Sequence, residues 1–274
     1  MNGAGNEFII IDNSEIGFAY TSNVVKSIYS SSPEINYDQL ITIEKRAGQY
    51  LDINIWNKDG STAEACGNAS RCVAKLIFDE MDCEYVELRS KHCVHICKKM
   101  INGGVTVNMG QANTEWKSIP TLLEVNDTLN FNYNFDFKDL EGVKYTSVIN
   151  VGNPHIIFWF DNIENIKPQT IGPLVESHKI FPEKINVSFA KIIDKNNIKL
   201  VVWERGAGIT KACGTAACAA AYSAMKLGLS SDNLNISLPG GTSEINIDSE
   251  GNIHKTGPVE LEYSSSIAIE GLYE

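Results

Sequence analysis

The sequence contains no long apolar run, no excess of basic residues and no basic segment at its start. Lysine and arginine number 23 against 34 aspartates and glutamates, which gives a net charge of −11 and a pI near 5.0. This balance argues against nucleic acid or an anionic membrane as the main partner. No apolar stretch reaches the about 20 residues of a membrane-spanning helix, and MNGAGNEFIIIDN does not resemble a signal peptide. We therefore expect a cytoplasmic protein.

A disulfide framework and a metal centre also find little support. The seven cysteines are odd in number, lack the spacing of a small disulfide scaffold and would be reduced in the cytoplasm. In KHCVHIC, Cys93, His95 and Cys97 alternate, so they would share one face of a strand. Zinc sites more often use Cys-x2-Cys knuckles with a second pair further on, and no second pair follows. We predict strand packing for these side chains and no metal.

Strand-like segments dominate the chain, and helices are few. The turns DKNN and DSEGN predict hairpins, so we expect largely antiparallel sheets and an α+β fold. Helices are predicted at 21–31, at 168–177 and directly after two cysteine motifs described below. Runs rich in β-branched or alternating apolar residues predict strands at 7–12, 39–45, 50–56, 85–90, 104–110, 145–151, 155–160, 185–193, 198–204, 234–239 and 243–247.

A polar, weakly patterned region at 113–145 separates two halves of similar composition. We place a domain boundary near its start, which predicts domains at 1–114 and 115–274. The last strand, about 262–274, is expected to pair back with the first domain. Each half then has several strands and one strong helix, and two such domains facing each other would bring the two cysteine motifs together.

The same layout introduces both strong helices: a cysteine and a glycine directly before the helix. The segments are EACGNASRCVAKLIF and KACGTAACAAAYSAMKLG, with Gly228 as the predicted stop of the second helix. A helix N-terminus has unpaired N–H groups and a partial positive charge. We therefore expect the pKa of the Cys66 and Cys213 thiols to be lowered.

The backbone amides after each cysteine form a potential anion site, at Gly67–Asn68 in the first motif and Gly214–Thr215 in the second. If the anion is an amino-acid carboxylate, one thiolate could remove the α-proton while the opposite thiol protonates the other face, which inverts the stereocentre. Thiols suit this chemistry because their ordinary pKa of about 8.5 lies near neutrality.

Alternatives to this chemistry stay open on the residues alone. Each motif is also compatible with a helix start of small residues packed on a sheet, which is our interpretation of Cys72 and Cys218. A pyridoxal phosphate enzyme needs a Schiff-base lysine and a phosphate cradle. Lys75 and Lys211 lie near the motifs but lack a glycine-rich phosphate loop. We expect no cofactor.

In sequence, the chain resembles the diaminopimelate epimerase family over nearly its whole length. Single motifs are weak, whereas eight in the same order are specific. They are GAGNEFIIID, YDQL, NKDGSTAEACGNASRC, VNMG, VGNPHIIF, GPLVESHKIFPEKINVSFA, WERGAGITKACGTAACAAA and LPGG.

The resemblance implies two pseudo-symmetric α+β domains, each a mostly antiparallel sheet wrapped around a central helix, with the active site in the cleft between them. It also implies a homodimer and cofactor-free interconversion of L,L- and meso-diaminopimelate, a step of lysine and cell-wall precursor synthesis. Cys66 and Cys213 match the catalytic thiols, and His155 and Glu204 match residues that tune them. The implied substrate contacts are Asn6, Gln39, Asn57, Gly67, Asn68, Asn153, Asn186, Glu204, Arg205, Gly214 and Thr215.

Two departures and several rivals accompany this resemblance. Ala69 and Ala216 stand where the family commonly has glycine, and their methyl groups could crowd the cleft. Rival functions within the same fold are a proline or hydroxyproline epimerase, a histidine racemase or a related isomerase. The proline type usually has His where Asn68 stands, and isomerases of the phenazine-biosynthesis type lack the paired thiols. A rival of another class is a non-catalytic amino-acid-binding or thiol-redox protein.

Overall fold

A computed structural model describes residues 1–31, 37–46, 50–63 and 66–264. The chain divides into two compact units, Met1–Asn108 with Thr256–Glu274, and Met109–Lys255. They are called unit 1 and unit 2 below. Most of the predicted last strand, 262–274, falls outside the described residues. The predicted domain limits, 1–114 and 115–274, stay predictions.

Unit 1 is built from a sheet whose strands are hydrogen-bonded in chain order. The pairs β2–β3 and β4–β5 are parallel, and each is connected through a helix; the remaining pairs from β1 to β7 are antiparallel. The elements are β1 (Asn2–Gly3), β2 (Asn6–Asp12), α1 (Ser22–Ser31), β3 (Gln39–Lys45), β4 (Tyr50–Asn57), α2 (Gly67–Glu80), β5 (Tyr85–Arg89), β6 (Val94–Lys99) and β7 (Val105–Gln111).

The burial of unit 1 follows the side-chain period of its elements. In β4, Leu51, Ile53 and Ile55 are buried while Asn54 between them is exposed, which is the pattern of a strand with one covered face. The first two turns of α2, from Gly67 to Ala74, are buried throughout. A helix that is buried on all sides in this way is the central helix of its unit.

Unit 2 repeats this order of strands and helices. The pairs β9–β10 and β11–β13 are parallel and again connected through helices, while β8–β9, β10–β11 and β13–β14 are antiparallel and β12 pairs with β11. The elements are β8 (Val143–Asn150), β9 (Pro154–Phe160), α3 (Pro168–Glu176), β10 (Asn186–Asp194), β11 (Asn197–Glu204), β12 (Gly208–Thr210), α4 (Gly214–Lys226), β13 (Asn233–Leu238), β14 (Gly241–Ile247) and β15 (Asn252–Gly257).

The sheet of unit 2 is covered on both faces, which explains why every residue of β9 is buried. Ile157 and Trp159 pack with the alanines of α4 on one face. Ile156 and Phe158 point to the other face, into a cluster that contains the α3 residue Ile171. Such continuous apolar strands are typical of sheets with two covered faces.

The prediction of an α+β fold with a central helix in each half is confirmed. The Cys-Gly motifs introduce α2 and α4, which occupy equivalent positions in the two units. Each is followed by the second strand of a parallel pair, so the preference for hairpins holds for most strand pairs but not for those that flank a helix. Within the described ranges, no helix has the length and hydropathy required to cross a membrane.

Candidate active site

Cys66 is the N-cap residue of α2. Its backbone is extended, with φ −150° and ψ 100°, and its Sγ accepts a hydrogen bond from the Ala69 amide at 3.5 Å. The Ser70 amide and hydroxyl both donate to the Cys66 carbonyl, at 2.9 and 3.1 Å. A half-buried thiol is thereby held against the positive end of a buried helix.

Four polar residues predicted to contact substrate form two pairs in unit 1. Asn68 donates from Nδ2 to Oδ1 of Asn6 at 2.7 Å. Gln39 donates from Nε2 to Oδ1 of Asn57 at 3.0 Å, and these two residues are register partners of β3 and β4. Asn6 and Gln39 begin parallel strands and Asn57 ends the antiparallel neighbour, so all three lie along one edge of the sheet.

Cys213 is the N-cap residue of α4, and it is buried. Its backbone is extended as in Cys66, with φ −135° and ψ 111°. The sulfur lies 3.5 Å from the Thr215 hydroxyl and also interacts with the Ala216 amide and the Glu204 carboxylate. Thr210 donates a short hydrogen bond to the same carboxylate. Glu204 therefore connects the end of β11 to this thiol.

The prediction that the pKa of Cys213 is lowered is wrong for this structure. Burial raises the pKa of the thiol strongly, and the negative charge of Glu204 raises it further. The contacts with Thr215 and the Ala216 amide act in the opposite direction, as expected at a helix N-terminus, but they are outweighed. Cys213 is therefore a protonated thiol near neutral pH.

In unit 2, the site residues that are predicted at the ends of strands form a second polar group. His155 shares a 2.8 Å hydrogen bond with Oδ1 of Asn153, and Asn186 donates to the Pro154 carbonyl at 2.8 Å. The Asn186 oxygen accepts from the Arg205 backbone amide at 3.0 Å. Asn186 thus ties the start of β10 to the turn that carries Arg205.

His155, which is predicted to tune the thiols, lies beside Asn153 and Arg205. It is fully buried, and burial together with the nearby Arg205 lowers its pKa to about 3. Its Nε2 bonds to Asn153, and its Nδ1 has no hydrogen-bond partner among the described residues. His155 is therefore neutral near neutral pH, and any influence on a thiol remains a prediction.

Glu176 is a site residue for which the sequence analysis gave no role. Its buried carboxylate accepts from the Trp203 indole at 2.7 Å and from the Gly206 amide at 3.1 Å, and pairs with Lys184 at 3.3 Å. These bonds hold both sides of the turn that contains Arg205. One signal was present, because an acidic residue in the last turn of a helix such as α3 opposes the helix dipole and needs a local reason.

The LPGG motif also has a structural role at this site. The Gly240 amide donates to the Lys211 carbonyl at 2.7 Å, just before Cys213. A Cβ at Gly240 would lie 2.9 Å from that carbonyl oxygen. In unit 1, a Cβ at Gly3 would lie 3.0 Å from both the Asn68 carbonyl oxygen and the Cys72 sulfur. In each unit, a glycine therefore lets the backbone approach the segment around a motif cysteine closely.

The two alanines that replace family glycines do not present their methyl groups to solvent. Ala69 and Ala216 are both fully buried, and Ala216 packs in the core around α4. Their burial indicates that these methyl groups contribute to packing.

Two residues of the KHCVHIC segment, His95 and Cys97, pack against α2. His95 Nδ1 lies 2.8 Å from the Ser70 hydroxyl, and the Cys97 thiol donates to the Ser70 carbonyl at 3.8 Å. Burial lowers the pKa of His95 to about 4. Cys93 precedes β6 and interacts with Ser90. Across the residues that the structure describes, no three His, Cys, Asp or Glu side chains are placed to hold a metal ion.

Known proteins are similar in sequence to this chain over nearly its whole length. The family profile described as diaminopimelate epimerase matches residues 1–115 and 147–262. A curated diaminopimelate epimerase of Pelagibacter ubique is 40% identical over 261 residues, covering 94% of each chain. One of Afipia carboxidovorans is 37% identical over 278 residues, covering 100% of this chain and 93% of the relative.

Solved structures at low identity show the fold alone. A phenazine biosynthesis protein of the PhzF family from Enterococcus faecalis is 12% identical, with a TM-score of 0.67 over 94% of this chain and 91% of that chain. A probable proline racemase from Agrobacterium radiobacter is 13% identical, with a TM-score of 0.57 over 84% and 76%. The family profile and the sequence relatives show that the chain belongs to the diaminopimelate epimerase family, and the prediction of an isomerase is confirmed with it.

Proposed function

We propose that this protein interconverts L,L- and meso-diaminopimelate without a cofactor, using Cys66 and Cys213 as the two proton-transfer groups. The observation that carries the proposal is the equivalent placement of the two thiols. Each caps a buried helix, and each helix occupies the same topological position in its unit. In a member of this family, such a matched pair of thiols suits a reaction that removes and returns a proton.

The proposed reaction has two balanced proton transfers. A thiolate takes the α-proton, the Cα–H bond breaks, and its electron pair spreads onto the substrate carboxylate. The other thiol then gives its proton to the opposite face of the α-carbon and becomes a thiolate. The proposal requires both sulfurs to reach the same α-carbon. Cys213 suits the role of proton donor, because burial and Glu204 keep it protonated.

The carboxylate at the reacting centre is proposed to bind at the helix N-termini, against the amides of Gly67–Asn68 and Gly214–Thr215. Charge that develops on the carboxylate then meets fixed N–H groups, and preorganised stabilisation of this kind is usually the largest catalytic contribution. The thiols themselves do not have to be ionised together, because only one acts as base in each direction.

The distal amino-acid group of the substrate needs its own contacts. We assign its carboxylate to Arg205, whose guanidinium can bind a carboxylate through two parallel hydrogen bonds. Arg205 is positioned through its backbone amide by Asn186, and its Nη1 donates to the Glu183 carbonyl at 3.1 Å. Glu204 can meet the ammonium group. The remaining proposed contacts are the side-chain amides of Asn6, Gln39, Asn57, Asn68, Asn153 and Asn186.

We propose that the enzyme is cytoplasmic and forms a homodimer. Thiol chemistry requires reduced cysteines, which agrees with a cytoplasmic protein. The family resemblance predicts a homodimer. Light scattering during gel filtration checks the dimer, and a mass equal to a single chain would contradict it.

Proton NMR in D2O tests the function directly. The reduced protein is mixed with L,L-diaminopimelate, and proline and histidine serve as parallel substrates. We expect loss of the α-proton signal of diaminopimelate together with appearance of the meso isomer. Exchange only on proline or histidine would keep two-thiol chemistry but overturn the substrate. No exchange on any of the three, with the thiols shown to be reduced, would overturn the epimerase proposal in favour of a binding protein.

A further inference from the structure

Four side chains form a continuous hydrogen-bonded chain at the beginning of α2. Arg71 donates from Nη2 to Oδ1 of Asn68 at 2.9 Å. Asn68 donates from Nδ2 to Oδ1 of Asn6 at 2.7 Å, and Asn6 donates from Nδ2 to Oδ2 of Asp38 at 3.0 Å. The chain therefore runs from a cation through two amides to a carboxylate.

The two ends of this chain fix the direction of every hydrogen bond in it. A guanidinium can only donate, so the Asn68 oxygen must face Arg71 and the Asn68 nitrogen must face Asn6. An ionised carboxylate can only accept, so the Asn6 nitrogen must face Asp38. An amide between neutral partners could take either orientation, whereas these two amides have one each.

Arg71 is the rigid end of the chain. It is fully buried, while Asp38 is exposed and also accepts a hydrogen bond from the Glu7 amide at 3.1 Å. Gly257 lies directly against the guanidinium, because a Cβ at that glycine would be 3.0 Å from Nη2. Burying an arginine is costly unless its charge is paired and hydrogen-bonded, so this placement needs a reason beyond packing.

We propose that Arg71 is a positioning residue that sets the orientation of the Asn68 and Asn6 amides for substrate binding. This inference rests on the proposed function, in which both asparagines contact the substrate. The Asn6 side-chain amide has four hydrogen-bonding positions, two N–H groups and two oxygen lone pairs. The hydrogen-bonded chain occupies one N–H group and one lone pair. A ligand therefore meets an amide whose donor and acceptor ends are already assigned, and it does not have to provide the energy of orienting them.

Chemical rescue of the variant Arg71→Ala tests this role. We expect the KM for diaminopimelate to rise about tenfold or more, since a bond from a charged donor is worth more than a neutral one. The kcat should change less than about threefold, because uniform binding is lost. Millimolar guanidinium should restore KM by occupying the vacated space, and equal sodium chloride should not. An unchanged KM, or a folded variant that guanidinium leaves unrepaired, would overturn the proposal.

A matched control is Arg89→Ala, which removes a partly exposed arginine stacked on Tyr50 at 4.1 Å in the same unit. Its KM should match the wild-type value with and without guanidinium. If Arg71→Ala does not fold, Asp38→Ala tests the exposed end of the chain instead. We expect its KM to rise about threefold, because water weakens this exposed hydrogen bond although its acceptor is charged. An unchanged KM would contradict the proposal.

A readout that does not need activity separates this inference from the proposed function. The side-chain amide signals of Asn6 and Asn68 are observed by ¹⁵N NMR and identified by their loss in Asn6→Ala and Asn68→Ala. In Arg71→Ala, both signals should shift, and guanidinium should return them towards the wild-type positions. If the wild-type protein does not epimerise diaminopimelate, the proposed function fails, while unshifted amide signals would overturn the role of Arg71.

Discussion

The two cysteine-headed helices begin in the same way but differ in the charges that surround them. In α2, the fully buried Arg71 places a positive charge about one helical turn after Gly67. In α4, the equivalent position is the uncharged Cys218, and a negative group, Glu204, contacts Cys213 instead. The same cysteine-capped helix N-terminus therefore occurs in two different electrostatic environments. The symmetry of the fold therefore does not give the two helix starts the same neighbouring charges, and we propose that a reaction with one acid and one base benefits from this difference.

Of the changes that test this comparison, removing either thiol should have the largest effect on the rate of epimerisation. We expect Cys66→Ser and Cys213→Ser each to lower the rate of diaminopimelate epimerisation by about a thousandfold, because a serine hydroxyl is a much weaker proton-transfer group. The measurement is the appearance of the meso isomer by NMR. Cys93→Ser, outside both motifs, is the control. Retention of the wild-type rate by one of the two variants would show that only one thiol is catalytic.

A methyl group at Gly240 should have the next largest effect. Gly240→Ala must displace the Lys211 carbonyl, which lies 2.9 Å from the added Cβ, and the shift passes along the backbone to Cys213. We expect kcat to fall about a hundredfold, as for small misplacements of reacting groups. Gly3→Ala tests the equivalent approach in unit 1.

Gly104→Ala is the control for both substitutions, because its added methyl would meet chiefly the side chain of Asn102. A wild-type kcat in Gly240→Ala would show that the LPGG turn does not position Cys213.

Acidification should weaken each unit through one buried histidine. The pKa is lowered to about 4 in His95 of unit 1 and to about 3 in His155 of unit 2. The unfolded chain therefore binds more protons, and stability falls as the pH drops from about 6.5 towards these values. At about pH 5, each histidine should cost about 2 kcal/mol of the free energy of unfolding, or about thirtyfold in the equilibrium constant.

Urea unfolding of His95→Asn and His155→Asn at neutral and acidic pH measures these contributions. Each variant should lose part of the wild-type acid sensitivity, and the exposed His92→Asn should lose none. Equal acid sensitivity in all four proteins would contradict the assignment of buried, neutral histidines.

The smallest expected effect concerns the charge beside Cys213. Glu204→Gln removes the negative charge that raises the thiol pKa, so more thiolate is present at a given pH. We expect alkylation of Cys213 by iodoacetamide to become about tenfold faster at a fixed pH below the thiol pKa. Mass spectrometry follows Cys213, with Cys66 in the same digest as the internal reference. An unchanged rate at Cys213 would leave burial alone as the cause of its raised pKa.

Most strands, the helices and the two caps could be predicted from the sequence because they depend on local patterns, whereas β12 and β15 were not predicted. The run YLDINIW alternates with period two, and both Cys-Gly motifs stand directly before an amphipathic or alanine-rich helix. The segment NFNYNFDF was harder to interpret. The sequence predicts it to belong to a polar region, yet Phe131 and Phe135 are buried against the face of the sheet that also carries α3, where their rings meet Phe181.

The pKa of Cys213 was predicted with the wrong sign for a related reason. The helix N-terminus is visible in the sequence, because a glycine and a run of alanines follow the cysteine. The depth of burial and the approach of Glu204 are not visible, because they depend on how β11 and its neighbours pack around α4. Local electrostatics can be inferred from neighbouring residues, whereas desolvation depends on the whole unit.

The amino-acid sequence by itself determined the fold class, the family, the two capping thiols and the polar residues at the strand ends, because each is written in short contiguous motifs. Only the tertiary structure decided how those residues are paired. It joined Asn68 to Asn6 and Arg71, connected Glu204 to Cys213, and gave His155 a partner in Asn153. Which of these residues come within hydrogen-bond distance, and how deeply they are buried, depends on how the strands and helices pack, and no local pattern contains those distances.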